Sequence, residues 1–176
     1  MIQTPNWYVI TGGPSSGKST VIRELHDRGY KTLLESARYY MELQMINGRD
    51  LAEIQLRQSQ LQHKVLNLQI DNERKLEPTQ LTFLDRAAPD SLAYYYYLGL
   101  PPDEKLVKWL ETARYKKVFV LDLLPIVDDG VRVEDAKAQH EIHEALIKVY
   151  RERGDEVVTV PVLPPKERAD FILAHL

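Results

Sequence analysis

The sequence predicts an α/β fold in three layers, a five-stranded parallel sheet covered by helices on both faces, and three observations carry that prediction. Short runs rich in β-branched and aromatic residues alternate with stretches of helical periodicity along the whole chain. The runs at 80–85, 117–122 and 156–160 are near-continuously apolar, as strands covered on both faces should be. The first run, W-Y-V-I, leads directly into T-G-G-P-S-S-G-K-S-T, a glycine-rich turn that opens a helix.

The elements follow in order. The first strand spans 7–11, and the helix after it, 17–28, stops at Gly29. A second strand, 31–35, precedes helices at 36–46 and 50–76, the longer one capped by Asp50. Strand 80–85 is followed by a helix over 89–98 that opens at Pro89. After Pro101-Pro102, Asp103 caps a helix over 103–114. Strand 117–122 leads to a segment near 125–137 whose D-D-G marks a lid, then to a helix over 134–153 that stops at Gly154. Strand 156–160 and a last helix, 165–175, complete a single domain over 1–176, with no repeat, linker or composition break.

Bulk properties narrow the function classes. With 44% hydrophobic and 28% charged residues this is an ordinary soluble composition, and a net charge of −3 argues against a surface built for nucleic acid or anionic lipid. The absence of cysteine excludes disulfides and thiolate metal sites. No apolar run approaches the roughly 20 residues that span a bilayer. The N-terminal M-I-Q-T-P-N has neither part of a signal peptide, so a cytoplasmic protein without membrane or nucleic-acid partners is expected.

Gly12-Gly13-Pro14-Ser15-Ser16-Gly17-Lys18-Ser19 fits G-x-x-x-x-G-K-[ST], the Walker A pattern of P-loop NTPases. Its glycines let successive backbone N–H groups turn toward phosphate oxygens, and the helix start adds the positive end of its dipole. Lys18 brings a charge to the β- and γ-phosphates, and the Ser19 hydroxyl is a Mg²⁺ ligand. Gly12, Gly13, Ser15, Ser16, Gly17, Lys18, Ser19 and Thr20 are therefore the expected nucleotide-binding residues. In small P-loop kinases the strand order is usually 2-3-1-4-5, so strands three and four both flank the loop strand. Each ends in an aspartate, Asp85 in L-T-F-L-D and Asp122 in V-F-V-L-D. Asp85 is the preferred metal-side carboxylate because Arg86 and a helix start follow it, leaving an open crevice. Asp122 runs into L-L-P, and its plainer reading is a turn or cap aspartate.

On the acceptor side, Glu35 ends the second strand and faces the same crevice, where a carboxylate can take the proton from an attacking hydroxyl. Arg38 lies one turn on and can orient Glu35 or hold an anionic acceptor. Arg86 is placed to neutralise phosphate, and Arg132, on the lid, to supply charge during transfer. The bland alternatives are a dipole-stabilised helix-end Glu35 with a surface Arg38, and a solvated Arg132. Of Tyr94, Tyr95, Tyr96 and Tyr97, spaced about 100° apart on a helix, no more than two can face one cleft. On the long helix Gln58 or Arg57 could reach an acceptor, while Leu51, Ile54, Leu61, Val65 and Leu68 read as core. None of the five histidines has metal-ligand spacing, and His140 and His143 are expected to be exposed.

Taken together, I-T-G-G-P-S-S-G-K-S-T, L-L-E-S-A-R-Y-Y, F-L-D-R-A-A-P-D-S-L-A-Y-Y and D-G-V-R resemble the NadR-like AAA/kinase family of P-loop proteins over nearly the whole chain. The resemblance implies a nucleoside-kinase-like fold with Mg-ATP or Mg-GTP as donor and a small-molecule acceptor; some relatives phosphorylate nicotinamide riboside. By motif match Glu35 is the acceptor-side carboxylate, Asp85 the metal-side one, and Arg86 and Arg132 the charge stabilisers. Asp90 matches a second aspartate that binds acceptor or caps its helix. The sequence has no adenylyltransferase segment and no room for an AAA helical lid domain, so neither a bifunctional enzyme nor a hexameric motor is expected. No N-K-x-D-like motif reads guanine, which favours ATP, its base held by the lid start and by P-V-L-P at 161–164. The leading reading is a small-molecule kinase; the alternative is a nucleotide-dependent binding module or slow NTPase switch. The sequence names neither the acceptor nor the oligomeric state.

Overall fold

In the computed structural model, residues 3–34, 58–125 and 136–176 are described. They form a parallel sheet of five strands in the order β2-β3-β1-β4-β5. The strands are β1 (Trp7–Thr11), β2 (Lys31–Leu33), β3 (Thr82–Asp85), β4 (Lys117–Leu121) and β5 (Val157–Val160). The helices are α1 (Lys18–Asp27), α2 (Gln58–Arg74), α3 (Ala88–Tyr97), α4 (Glu104–Thr112), α5 (Ala136–Glu152) and α6 (Pro165–Ala174). The predicted helix over 36–46 and the Asp50 cap lie outside the described residues.

The two-residue period of a strand divides β1 between two cores. Tyr8 and Ile10 pack with Val21, Ile22, Leu25 and Phe83 beneath α1 and α6. Trp7 and Val9 face the opposite layer with Leu84, Val118, Val120 and Tyr150. All five β1 residues are buried, consistent with a central strand covered on both faces. The same expectation fails for β5, where Thr159 is exposed and Val157 and Val158 only half-buried. As the last strand it has a neighbour on one side alone.

The helix signals also resolve into contacts. Asp103 caps α4, its carboxylate accepting the Lys105 N–H at 2.7 Å. On α2 the deepest apolar residues are Leu66 and Ile70, with Leu61, Val65 and Leu68 only half-buried, because the stripe that faces α3 and α4 runs through Leu66, Ile70 and Glu73. Glu73 is wholly buried there and accepts four hydrogen bonds, from Gln69, the Ala88 N–H, Trp109 and Tyr115. Among the described residues no helix is long and apolar enough to cross a membrane.

The register fixes where chemistry can occur. Ile10 stands opposite Asp85 on β3, and Thr11 opposite Val120 on β4. The carboxyl ends of the three central strands therefore meet at the start of the glycine-rich loop, the edge at which open α/β sheets bind ligands.

Candidate nucleotide-binding site

The loop between β1 and α1 has the backbone of an anion cradle. Ser15 and Gly17 both have left-handed φ, 64° and 86°, on either side of Ser16. Such alternation folds successive N–H groups around one concavity. Gly17 stands at the N-cap of α1, so no side chain at that position competes for the first-turn N–H groups. Lys18 follows at 6% exposure, its Nζ lying 3.2 Å from the Gly12 carbonyl, 3.3 Å from that of Gly13 and 3.4 Å from the Ser16 hydroxyl. Those are long contacts for a charged donor, of the kind a phosphate oxygen would replace. Ser19 is half-buried one position on, and Thr20 is exposed.

The back of the loop rests on α5 and α6. A Cβ on Gly13 would stand 2.9 Å from the Gln139 carbonyl and 3.0 Å from the His143 Cβ, so only glycine lets α5 come this close. The Gly13 N–H donates to His143 Nδ1 at 3.1 Å. This corrects the expectation for His143, which is 6% exposed; His140 is exposed as expected. A helical repeat puts residues 139, 142, 143 and 146 on one face, and all four are buried. Burial pushes the His143 imidazole below its ordinary value of 6.5, which favours the neutral ring that can accept at Nδ1. Gln139 Nε2 donates to the carbonyls of Pro14 at 2.8 Å and Leu124 at 3.2 Å. From α6, the buried Arg168 guanidinium donates to the carbonyls of Ser16 (2.5 Å), Asp122 (2.8 Å) and Pro161 (3.0 Å). Burial lowers its pKa, and the nearby Asp122 acts in the opposite sense.

The end of β3 forms the front. Asp85 is buried, and Arg86 follows with φ 68°. A non-glycine residue held there costs roughly 1–3 kcal/mol. Its neighbours hold it: the Arg86 N–H donates to Ile10 at 3.0 Å and its carbonyl accepts from Gln69 at 3.4 Å. The Arg86 guanidinium lies 3.5 Å from the Asp90 carboxylate and 5.2 Å from the centre of the Tyr94 ring. Tyr95 is core and Tyr96 and Tyr97 are exposed, so Tyr94 is the member of the quartet beside the site. Asp90 is buried and accepts from the Ala87 N–H at 3.1 Å, capping α3, and from the hydroxyls of Thr11 and Tyr150.

The structure thus gathers Gly12, Gly13, Ser15, Ser16, Gly17, Lys18 and Ser19 with Asp85, Arg86 and Asp90 at one end of the sheet. Glu35, Arg38, Arg57 and Arg132 lie outside the described residues. Sequence reasoning did not single out Gln139, Arg168, Glu73 or Tyr150. Helical spacing could have put Gln139 on the buried face of α5; nothing local marks Arg168, because its partners are backbone carbonyls from three separate segments. Among the described residues no cluster of three His, Cys, Asp or Glu could hold a metal. Ser19 and Asp85 are instead two hard oxygen donors, a set that suits Mg²⁺ shared with phosphates and water.

A family model described as an AAA domain matches residues 7–168. A crystal structure of a NadR protein in complex with NR superposes with a TM-score of 0.67 at 25% identity, over 96% of this chain and 50% of that one. A NadR protein in complex with NAD and AMP-PNP gives 0.65 at 23% identity, over 96% and 48%. A deoxyadenosine kinase from M. mycoides, with the products dCMP and dCDP, gives 0.65 at 14%, over 96% and 97%, a likeness of fold. The chain spans about half the length of the NadR chains it matches. No curated protein matches the sequence.

Proposed function

The chain belongs to the AAA domain family, in its NadR-like, nucleoside-kinase-like form, and from that premise we propose an ATP-dependent kinase of a nucleoside-like small molecule. The observation that carries this is the register pairing of Ile10 with Asp85, which sets a carboxylate and then Arg86 beside the phosphate loop. Support for the acceptor class comes from the NadR neighbour solved with NR and from the fold shared with a deoxyadenosine kinase.

The loop and Lys18 bind the donor's phosphates. Ser19 and Asp85 would hold Mg²⁺, which supplies charge neutralisation across the β- and γ-phosphates. Asp122 is the weaker candidate, since it lies behind the loop beside Arg168 and His143. Gly13, with its N–H donated to His143, shapes the loop rather than touching phosphate. Arg86, held by Asp90 and Tyr94, neutralises charge on the moving phosphoryl group, and Arg132 adds to it. Asp90 acts through Arg86, because its oxygens already accept from Thr11, Tyr150 and Ala87. Glu35 takes the acceptor's proton, with Arg38 orienting it. The bond from acceptor oxygen to γ-phosphorus forms as the bond to the β–γ bridging oxygen breaks, and ADP leaves.

The test is transfer from Mg-ATP to a panel of nucleosides and nucleoside-like metabolites, followed by ³¹P NMR and mass spectrometry. Phosphorylation of at least one, abolished by Lys18→Ala, is expected. Tight ATP binding with hydrolysis only, across the panel, would overturn the kinase in favour of a slow NTPase switch.

A further inference from the structure

We infer that Gln139, His143 and Arg168 are positioning residues of the nucleotide site, which together preset alternate peptide planes of the phosphate loop from its outer side. The inference rests on the nucleotide-binding reading above and adds to it the residues that orient the loop's donors.

In a planar trans peptide the carbonyl of one residue and the N–H of the next point to opposite sides of the chain. Arg168 Nη1 holds the Ser16 carbonyl at 2.5 Å, which turns the Gly17 N–H to the other side, that of the cradle. Gln139 Nε2 holds the Pro14 carbonyl at 2.8 Å and does the same for the Ser15 N–H. His143 works with the opposite polarity. It takes the Gly13 N–H at 3.1 Å, so the Gly12 carbonyl faces inward, where Lys18 Nζ meets it at 3.2 Å. The planes Gly12–Gly13, Pro14–Ser15 and Ser16–Gly17 are each gripped by one side chain from α5 or α6.

The choice of residues supports a role beyond packing. A fully buried ion is a poor way to fill space, and an apolar side chain of like volume is often as stable or more so. Arg168, at 2% exposure, is justified by what it holds: the phosphate loop, the end of β4 and the loop after β5, three segments at one edge of the sheet. With the planes preset, the amides need no reorganisation when an anion arrives, and preorganisation of that kind appears as affinity.

The experiment titrates inorganic tripolyphosphate, which reports on the cradle alone, and adenosine, which does not use it. Wild type, Gln139→Met and Arg168→Lys are compared, with thermal midpoints recorded for each. Each variant is expected to bind tripolyphosphate about tenfold more weakly, the factor set by one net hydrogen bond of about 1.4 kcal/mol. Gln139→Met should lose less affinity for adenosine than for tripolyphosphate, since its contact at 2.8 Å is with the phosphate loop and its contact with Leu124 is longer, at 3.2 Å. In ¹H–¹⁵N spectra, the tripolyphosphate-induced shifts of the Ser15 and Gly17 amides should shrink in the variants. A lowered thermal midpoint with unchanged tripolyphosphate affinity in the folded protein would show purely structural residues and overturn the inference. Should Arg168→Lys not fold, Gln139→Met decides alone by the same criterion. Failure of the wild type itself to bind tripolyphosphate would overturn the nucleotide site and this inference with it, a result read without any variant.

Discussion

The Tyr150 hydroxyl donates to the Asp90 carboxylate from a position 60 residues further along the chain, joining α5 to the start of α3 inside the molecule. Burial and the adjacent carboxylate push the Tyr150 phenol well above 10, so it remains a neutral donor at any working pH. Asp90 in turn faces Arg86. Tyr150→Phe keeps the ring packing and removes one donor from a buried carboxylate, so a loss of about 1–2 kcal/mol is expected in urea unfolding with the m-value unchanged. Asp90→Asn should reach further. By removing the charge that faces Arg86, it should lower turnover more than it raises the KM for ATP, a split that steady-state kinetics would read.

Glu73 is a buried carboxylate with four donors around it, and burial still raises its pKa above 4.5 despite them. Glu73→Ala leaves the Ala88 N–H, Trp109 and Tyr115 without this acceptor, so a loss of about 3 kcal/mol or more is expected from chemical unfolding followed by Trp109 fluorescence. Its pH signature has a definite sign. Between the raised native value and 4.5 the native state holds more protons than the unfolded one, so stability falls as pH rises through that window. The stability of wild type relative to Glu73→Gln should therefore rise as pH is lowered through that window.

His143 titrates in the opposite sense. Its pKa is lowered by burial, with Glu144 and Asp122 acting to raise it and His140 and Lys18 to lower it. Below 6.5 the unfolded chain takes up a proton that native His143 resists, because protonation at Nδ1 would oppose the Gly13 N–H. Stability should thus decline as pH falls from 6.5 toward the lowered native value and level off beneath it. Unfolding measured between pH 7 and 5 for wild type and His143→Gln isolates this contribution: the variant, which has no titratable group there, should show a shallower slope.

The strands, the loop and the Asp85–Arg86 step were legible because each is written in contiguous residues: apolar runs, a glycine spacing, a charge at a strand end; the strand order came instead from the likeness to small P-loop kinases. The back of the site was not. Arg168 reads on α6 as one charge among Lys166, Glu167 and Asp170, and its burial follows only from how α6 docks against the loop strands. His143 shares its helix with exposed His140 one turn earlier, and a three-residue spacing alone does not say which of the two faces inward. The over-reading of β5 has another origin: V-V-T-V has the composition of a strand covered on both faces, and composition does not register the edge place that the expected order already gave it.

Gly13 and Gly29 offer a matched contrast with which to weigh close approach against backbone conformation. At Gly29 an added Cβ meets nothing within 4 Å, and the cost of Gly29→Ala is the left-handed backbone, φ 92°, alone. That is roughly 1–2 kcal/mol of stability with no reason for nucleotide affinity to change. At Gly13 the Cβ would meet the Gln139 carbonyl at 2.9 Å, and a backbone atom of α5 cannot swing aside as a side-chain tip would. Gly13→Ala must push the loop from α5, straining the Gly13–His143 and Gln139–Pro14 hydrogen bonds together. The expected result is an overpacking loss of about 1–3 kcal/mol in thermal or urea unfolding. Alongside it, calorimetry should show weaker Mg-ATP binding for Gly13→Ala and wild-type binding for Gly29→Ala. Equal nucleotide affinity in the two variants would mean that α5 does not set the shape of the loop.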